Sequence, residues 1–441
     1  MRRQSPVPGL PLPVRADVSL PGDILTSETL VVNPTNVLIV GGGASGLMAA
    51  VTAARRGARV TIAERQDRVG RKILATGNGR CNLTNVNCSP SNFHGQQPGF
   101  AASALESFPS RETTAFFEQL GASCRIEDQG KVFPVTGQAS TVLDVLRAEV
   151  ARLGVDVLPI SGVTAITEHG DRLSVRAGDQ DLAVDRVIVC TGGRAVPQLG
   201  GNDSGMQLLV RLGHKLVPAF PVLVPLKTDT HFGRHVKGTK VHAGLRLEAG
   251  GHVHVEAADE VLFTDYGLSG PPIIQVSLAA AYALHDSVPV RVTLDLLPDW
   301  PADRLPAELA RRVAAWPSEP IESVLIGLVH KRLITVLLAA CGVTDPRMAA
   351  ATVSAASLDS IAKTIRGWIF EVTGTLAWSE AHVMAGGVST EAFDPATLQS
   401  RLVPGVYAAG EVLDVVGDCG GYNLQWAWSS GRLAALKATG G

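Results

Sequence analysis

Residues 37–40 read Val-Leu-Ile-Val and run directly into Gly41-Gly42-Gly43-Ala44-Ser45-Gly46. No other feature restricts the fold as strongly. A continuous apolar run suits a strand buried on both faces, as in a parallel sheet. The small residues from Ala44 to Arg56 suit a helix, so G-x-G-x-x-G sits between strand and helix. Gly41 permits the tight turn, Gly43 lets backbone amides approach a pyrophosphate, and Gly46 lets helix and strand pack closely, while the helix N-terminus adds partial positive charge. Gly57 ends the helix, and Val60-Thr61-Ile62-Ala63 reads as a second buried strand. Glu64 stands at the end of that strand, where a carboxylate accepts hydrogen bonds from an adenosine ribose and repels a 2′-phosphate. The pattern predicts a dinucleotide site in which NADP is disfavoured; FAD and NAD both fit.

At 441 residues the chain is long enough for two or three structural units, and 46% hydrophobic against 18% charged residues provides for a large core. Lysine and arginine number 39 against 41 acids, a formal charge of -2, so no global basic field favours a nucleic acid. The expectation is no nucleic-acid partner. The longest apolar stretch, residues 324–341, is interrupted by His330, Lys331 and Arg332, which excludes it as a membrane span. Arg2 and Arg3 are followed by prolines rather than the apolar region of a secretory signal. Six scattered cysteines, with no Cys-x-x-Cys pair, fit a reducing setting, and a cytoplasmic location is expected.

Residues 1–33 are proline-rich and show neither a helix nor a strand period, so a poorly ordered extension is expected there. Thr141-x-x-Asp144 reads as a capping box opening a helix with Leu143, Leu146, Val150 and Leu153 on one face, stopped by Gly154. Residues 155–190 read as a meander added to the sheet, with turns at Gly170-Asp171 and Gly178-Asp179. Residues 222–297 are strand-like with glycine breaks, and 301–368 are mostly helical and alanine-rich. From residue 381 strand, glycine loop and helix return, so the two ends are expected to share one sheet. The expected division is 34–196 and 375–441 as the two parts of a nucleotide-binding domain, 197–298 as an inserted β-rich domain, and 299–374 as an inserted helical subdomain.

The choice between FAD and NAD turns on the C-terminal part. Val406-Tyr407-Ala408-Ala409-Gly410-Glu411 reads as a strand running into a glycine and an acid, and Gly417-Asp418-Cys419-Gly420-Gly421-Tyr422-Asn423 leads into a helix over residues 424–437. FAD is long enough to place its pyrophosphate at the first helix and its rings at the last, whose N-terminus would stabilise negative charge on the reduced flavin.

Several ordered stretches carry a family resemblance: residues 40–50, 71–85 (Arg-Lys-Ile-Leu-Ala-Thr-Gly-Asn-Gly-Arg-Cys-Asn-Leu-Thr-Asn), 132–135, Thr191-Gly192-Gly193, 262–271, 385–390 and 410–431. In these the chain resembles the bacterial NAD(P)/FAD-dependent oxidoreductases of the aminoacetone oxidase family, which includes a dehydro-bile-acid reductase. The resemblance covers roughly residues 36–437. It implies an α/β fold: a Rossmann-like FAD-binding domain built from both chain ends, with an inserted β-barrel-like plus small helical unit. It also implies that FAD is lined by Gly41, Gly43, Ala44, Ser45, Gly46, Glu64, Arg65, Arg71, Lys72, Asn78, Arg80 and Cys81 in the first part. Further on the lining would comprise Val163, Thr191, Gly192, Gly193, Gly410, Glu411, Gly421, Tyr422, Asn423, Leu424 and Gln425. The chain departs from the family pattern at Thr76-Gly77-Asn78-Gly79 and at Asp418-Cys419.

Tyr422, Glu411 and Tyr266 are the candidates for acid–base work, which needs a titratable group within hydrogen-bond reach of the reacting atom. Ser269 reads as a helix N-cap before Pro271. Cys81 and Cys419 read as packed small side chains rather than redox thiols, and Trp426 and Trp428 as helix core. His252-x-His254 and His231-x-x-x-His235 have spacings compatible with a metal only if carboxylates converge on them; a strand face and a solvated turn are expected instead, and no metal. The expected activity is hydride transfer between flavin N5 and a small organic substrate, with reduction of a carbon–carbon double bond favoured and amine oxidation the alternative. The chain has no second G-x-G-x-x-G, so NAD(P)H is expected to dock only transiently. A flavin-holding redox sensor and an RNA-modifying flavoprotein are the readings from other classes.

Overall fold

The central sheet takes its first strand, Asn36–Val40, as the middle of five parallel strands. Arg59–Ala63 and then Asp156–Leu158 lie on one side, Arg186–Val189 and then Val406–Ala408 on the other. Both ends of the chain therefore share one sheet, as expected. Leu38 and Ile39 are wholly buried on opposite faces, which explains why this strand is apolar throughout rather than alternating. The computed structural model describes residues 34–230 and 236–440. Expectations for residues 1–33 and for His231 and His235 lie outside them.

The helix after the first strand, Ala44–Arg55, packs directly on the closing helix, Tyr422–Ala438. The crossing is close because Gly431 has no side chain: a Cβ there would stand 2.3 Å from the Ser45 carbonyl. Both helices thus carry their N-termini to the same end of the sheet. Trp426 and Trp428 are buried in this core, their indole N–H groups donating to the Gly410 and Leu83 carbonyls.

The insert is a closed, six-stranded antiparallel barrel made from Leu226–Thr228, Gly267–Ser269, His252–Phe263, Thr239–Ala249, Val290–Asp295 and Trp368–Thr375. Its core, including Leu245, Phe263, Val292 and Phe370, continues into Leu309, Leu337 and Ile361 of the helices Arg304–Ala315, Lys331–Ala340 and Ala355–Arg366.

Five local details differ from the sequence reading. The helix expected to open at Thr141 spans Ala139–Arg152, and Gln138 precedes it without a side-chain cap. Thr141 instead meets the Thr136 hydroxyl at 2.7 Å. Ser269 is a strand residue, and Gly270 is the residue that caps Pro271–His285. The meander is not part of the main sheet: Val163–His169, Arg172–Ala177 and Gln180–Val184 form an antiparallel sheet of their own. Trp368–Thr375, all but its last residue grouped by sequence with the helical segment, closes the barrel, while Ser204–Arg211, grouped with the β-rich insert, packs Met206, Leu208 and Leu209 into the core of the parallel-sheet region.

Candidate active site

Ligands of open parallel sheets bind beyond the carboxyl ends of the strands, where strand order reverses. Here that point is the first strand. The chain segments leaving Val40, Ala63, Val189 and Ala408 all reach one cleft, lined by Gly41, Glu64, Thr191 and Glu411, with a volume of about 330 Å³. That is the size range of small-molecule and cofactor sites.

The glycine turn is shaped by its neighbours. A Cβ on Gly46 would lie 2.0 Å from the Gly41 carbonyl, so the turn requires glycine there. A Cβ on Gly43 would meet nothing within 4 Å, because that face is open to the cleft. Gly43 caps the helix with no side-chain bond, and the first turn holds no acid. Its amides and partial positive charge are thus available to an anionic group. Glu64 lies beside them with its carboxylate held in place, accepting from Gly42 N at 2.7 Å and from Gln66 N at 2.7 Å. Carboxylate oxygens so fixed keep lone pairs for ribose hydroxyls.

At the other end of the cleft the Lys72 ammonium donates to Glu411 at 2.7 Å, and Met384 N donates to the second Glu411 oxygen at 2.9 Å. Asn423 and Leu424, in the first turn of the closing helix, line the cleft beside them, and this turn too contains no acid. Asn423 also braces the loop before it, accepting from Gly417 N at 2.8 Å and donating to Gly417 O at 2.7 Å. Ile73, Val383, Val415 and Leu424 supply apolar wall.

These features fit FAD. An open glycine cradle and an uncapped helix N-terminus suit a pyrophosphate, a fixed carboxylate suits the adenosine ribose, and a second helix N-terminus lies further along the same cleft.

Of the residues singled out by sequence, the cleft brings together Gly41, Gly43, Ala44, Ser45, Glu64, Arg65, Arg71 and Lys72. It adds Val163, Thr191, Gly192, Gly193, Glu411, Asn423 and Leu424. Gly46 and Gly410 lie beneath the turn: the Gly410 amide donates to Ser430 Oγ at 2.9 Å. Arg80 turns away to Glu127 and lies over the Phe133 ring, 4.1 Å from its centroid. Asn78 is exposed on its loop, outside the cleft lining. Cys81 is wholly buried, and burial pushes its thiol up to about 12, which keeps it protonated and unreactive. Cys419 packs against the apolar cluster around Val383 and Val416.

Gly421 is tight for a protein reason: its φ is +100° and a Cβ would stand 2.5 Å from the Thr84 carbonyl. Gln425 is also turned into the protein, donating to the Phe108 carbonyl at 2.8 Å and to Thr113 Oγ1 at 2.9 Å. Tyr422 is nearly buried, edge-on to Phe93 with ring centroids 6.4 Å apart, and burial raises its pKa. Tyr266 belongs to the barrel, where its carbonyl accepts from Thr228 N at 3.1 Å. Neither tyrosine lines the cleft.

Sequence reasoning missed His382, which lines the cleft beside Val383. Its backbone N–H donates at 3.1 Å to the carbonyl of Leu223. Leu223 is held at φ +50°, a conformation costing a non-glycine residue on the order of 1–3 kcal/mol. A single histidine just before an apolar strand offers no spacing signal.

Among the described residues no helix is long and apolar enough to cross a membrane, and no group of three or more His, Cys, Asp or Glu side chains is placed to hold a metal ion.

The family model described as the HI0933-like protein Rossmann domain matches residues 35–437. The chain is 37% identical to a 3-dehydro-bile acid delta(4,6)-reductase of Clostridium scindens, over 91% of this chain and 98% of that protein. It is 30% identical to a ribosomal RNA dihydrouridine synthase of Haemophilus influenzae, over 91% of this chain and 97% of that one. A solved 3-ketosteroid delta1-dehydrogenase of Sterolibacterium denitrificans is 12% identical over 92% of this chain and 99% of that one, with a TM-score of 0.46, a likeness too loose to carry an argument. The chain belongs to the HI0933-like Rossmann-domain family, and it is an FAD-dependent oxidoreductase.

Proposed function

We propose that the chain reduces a carbon–carbon double bond conjugated to a carbonyl in a small organic substrate, with NAD(P)H docking transiently as electron donor. The observation that carries this reading is the Lys72 end of the cleft. There an ammonium, a histidine ring and a helix N-terminus stand together, a donor-rich setting for an oxygen that gains negative charge. FAD, when bound, supplies a two-electron carrier that takes hydride from a nicotinamide and delivers it to carbon.

The chain's own part is binding, orientation and charge. The amides after Gly43 hold the phosphates and Glu64 holds the ribose. The walls at Ile73, Val383, Val415 and Leu424 exclude water. Both Glu411 oxygens are taken up, one by Lys72 Nζ and the other by Met384 N, so Glu411 serves as an anchor for the lysine.

The names of the two relatives support a shared chemistry: a delta(4,6)-reductase saturates double bonds, and a dihydrouridine is a uridine with two hydrogens added. The higher identity to the reductase favours a small polycyclic enone. The dihydrouridine synthase supports a second reading, in which the reduced bond belongs to a uracil in RNA. No relative named above supports amine oxidation.

The test is anaerobic. NADH or NADPH should bleach the FAD-loaded protein, and a 3-oxo-Δ4 steroid should restore the colour while gaining two hydrogens. Reoxidation by oxygen alone, with every enone returned unchanged, contradicts the reading; reoxidation by uridine-containing RNA and by no small enone favours the second.

A further inference from the structure

We infer that His382 is the residue that binds the substrate's carbonyl oxygen, with Lys72 beside it; this rests on the double-bond reduction proposed above. Of residues 381–390, His382 alone is exposed: Ala381 and Val383 on either side are buried. The strand Val383–Val388 that follows is buried throughout, and beside the apolar wall at Val383 this ring is the one polar side chain of the segment that lines the cleft. Among the described residues the ring has no hydrogen-bond partner, whereas its backbone is tied to Leu223. The result is a fixed main chain presenting an unpaired polar ring to a ligand space.

The charge around the ring suits an oxygen rather than a cation. The enclosing walls disfavour the imidazolium, and the nearby Lys72 charge adds to the effect, so the pKa of His382 is lowered. A neutral imidazole still carries one N–H, which makes it a hydrogen-bond donor. Lys72 contributes positive charge while Glu411 anchors its ammonium at 2.7 Å. When the conjugated double bond accepts a hydride at its β-carbon, the π pair moves to the carbonyl oxygen, and a proton from water completes the α-carbon. The hydride comes from the reduced cofactor, which is oxidised as the substrate is reduced. Donors aimed at that oxygen stabilise it as its charge develops.

Phenols are suitable probes because a phenolate carries the same delocalised oxygen charge. FAD-loaded protein is titrated with 4-nitrophenol, reading affinity and the pKa of the bound phenol by absorbance, and enone turnover is measured in parallel. The wild type should bind the phenolate and lower its pKa. His382→Leu, with FAD content unchanged, should lose at least tenfold in phenolate affinity, lose the pKa shift, and lower kcat/KM for the enone by a similar factor. His382→Asn, which keeps an N–H donor, should recover part of each and carries the test should the leucine variant fail to fold. Phenolate affinity within twofold of wild type in both variants overturns the role of His382, even if the enone is still reduced. Failure of the wild type to reduce any enone overturns the proposed reaction itself, and the inference with it.

Discussion

The glycine turns that open the two cleft helices look alike in sequence and differ in what presses on them. At the first turn, Gly46 is demanded by the Gly41 carbonyl, while Gly43 is free on the side where a ligand would lie. At the last turn, Gly421 is demanded by the Thr84 carbonyl, and the next residue, Tyr422, points to Phe93 rather than into the cleft. A glycine cluster announces a close approach of something to the backbone. Whether the visitor is a ligand or another strand is decided by the fold.

The largest effect that would break this contrast is at Gly46. Gly46→Val forces a Cβ onto a carbonyl with no room to yield, and should cost on the order of 3 kcal/mol or more and abolish FAD retention. Gly43→Ala should keep the wild-type melting temperature within a few degrees while weakening FAD. Equal losses of stability in the two variants would remove the distinction drawn between them. Gly421→Ala should cost about 1–3 kcal/mol in denaturant unfolding, with FAD still bound stoichiometrically at saturating cofactor. Loss of FAD without loss of stability would show that this glycine faces the ligand after all. Asn423→Ala removes the brace across Gly417 and should cost about 1 kcal/mol, read as a small fall in melting temperature.

A control lies outside both turns. His214 is buried, stacked on Phe393 at 4.3 Å, with Nε2 3.0 Å from Ser400 Oγ and Nδ1 without a partner among the described residues. Burial lowers its pKa from 6.5 to about 4. The folded state therefore favours the neutral ring. Its contribution is full above the unfolded value and is lost as pH falls from 6.5 towards 4, by on the order of 1 kcal/mol at pH 6. His214→Asn should flatten that part of the stability profile and leave FAD affinity at neutral pH unchanged.

The opening of the fold was legible because strand, turn, helix and acid are contiguous: residues 37–40, the glycines and Glu64 all sit where local pattern puts them. The phase of the closing helix was not. It is buried on nearly every side, including Gln425, Trp426, Trp428 and Ser429, so no apolar stripe says which residues face a cleft. Asn423 and Leu424 reach it, while Tyr422 and Gln425 do not. Barrel closure was hidden for a different reason. Trp368–Thr375 pairs with Leu226–Thr228 and Val290–Asp295 across the intervening helices, and no local signal reports a partner so far away in sequence. His382 was invisible as a lone polar residue between buried neighbours. The expectation of no nucleic-acid partner rested on net charge, a sum over the whole chain that carries no information about Arg65, Arg68, Arg71 and Lys72, which line the same cleft.

The central claim is that segments from both ends of the chain hold a single FAD, and fluorescence titration of cofactor-free full-length protein with FAD tests it most directly. One FAD should bind per chain, with affinity reduced at least tenfold by Glu64→Ala at one end and by Leu424→Asp at the other, where a new carboxylate would oppose charge at the closing helix. No uptake of FAD, or an affinity indifferent to either substitution in a folded protein, would contradict it.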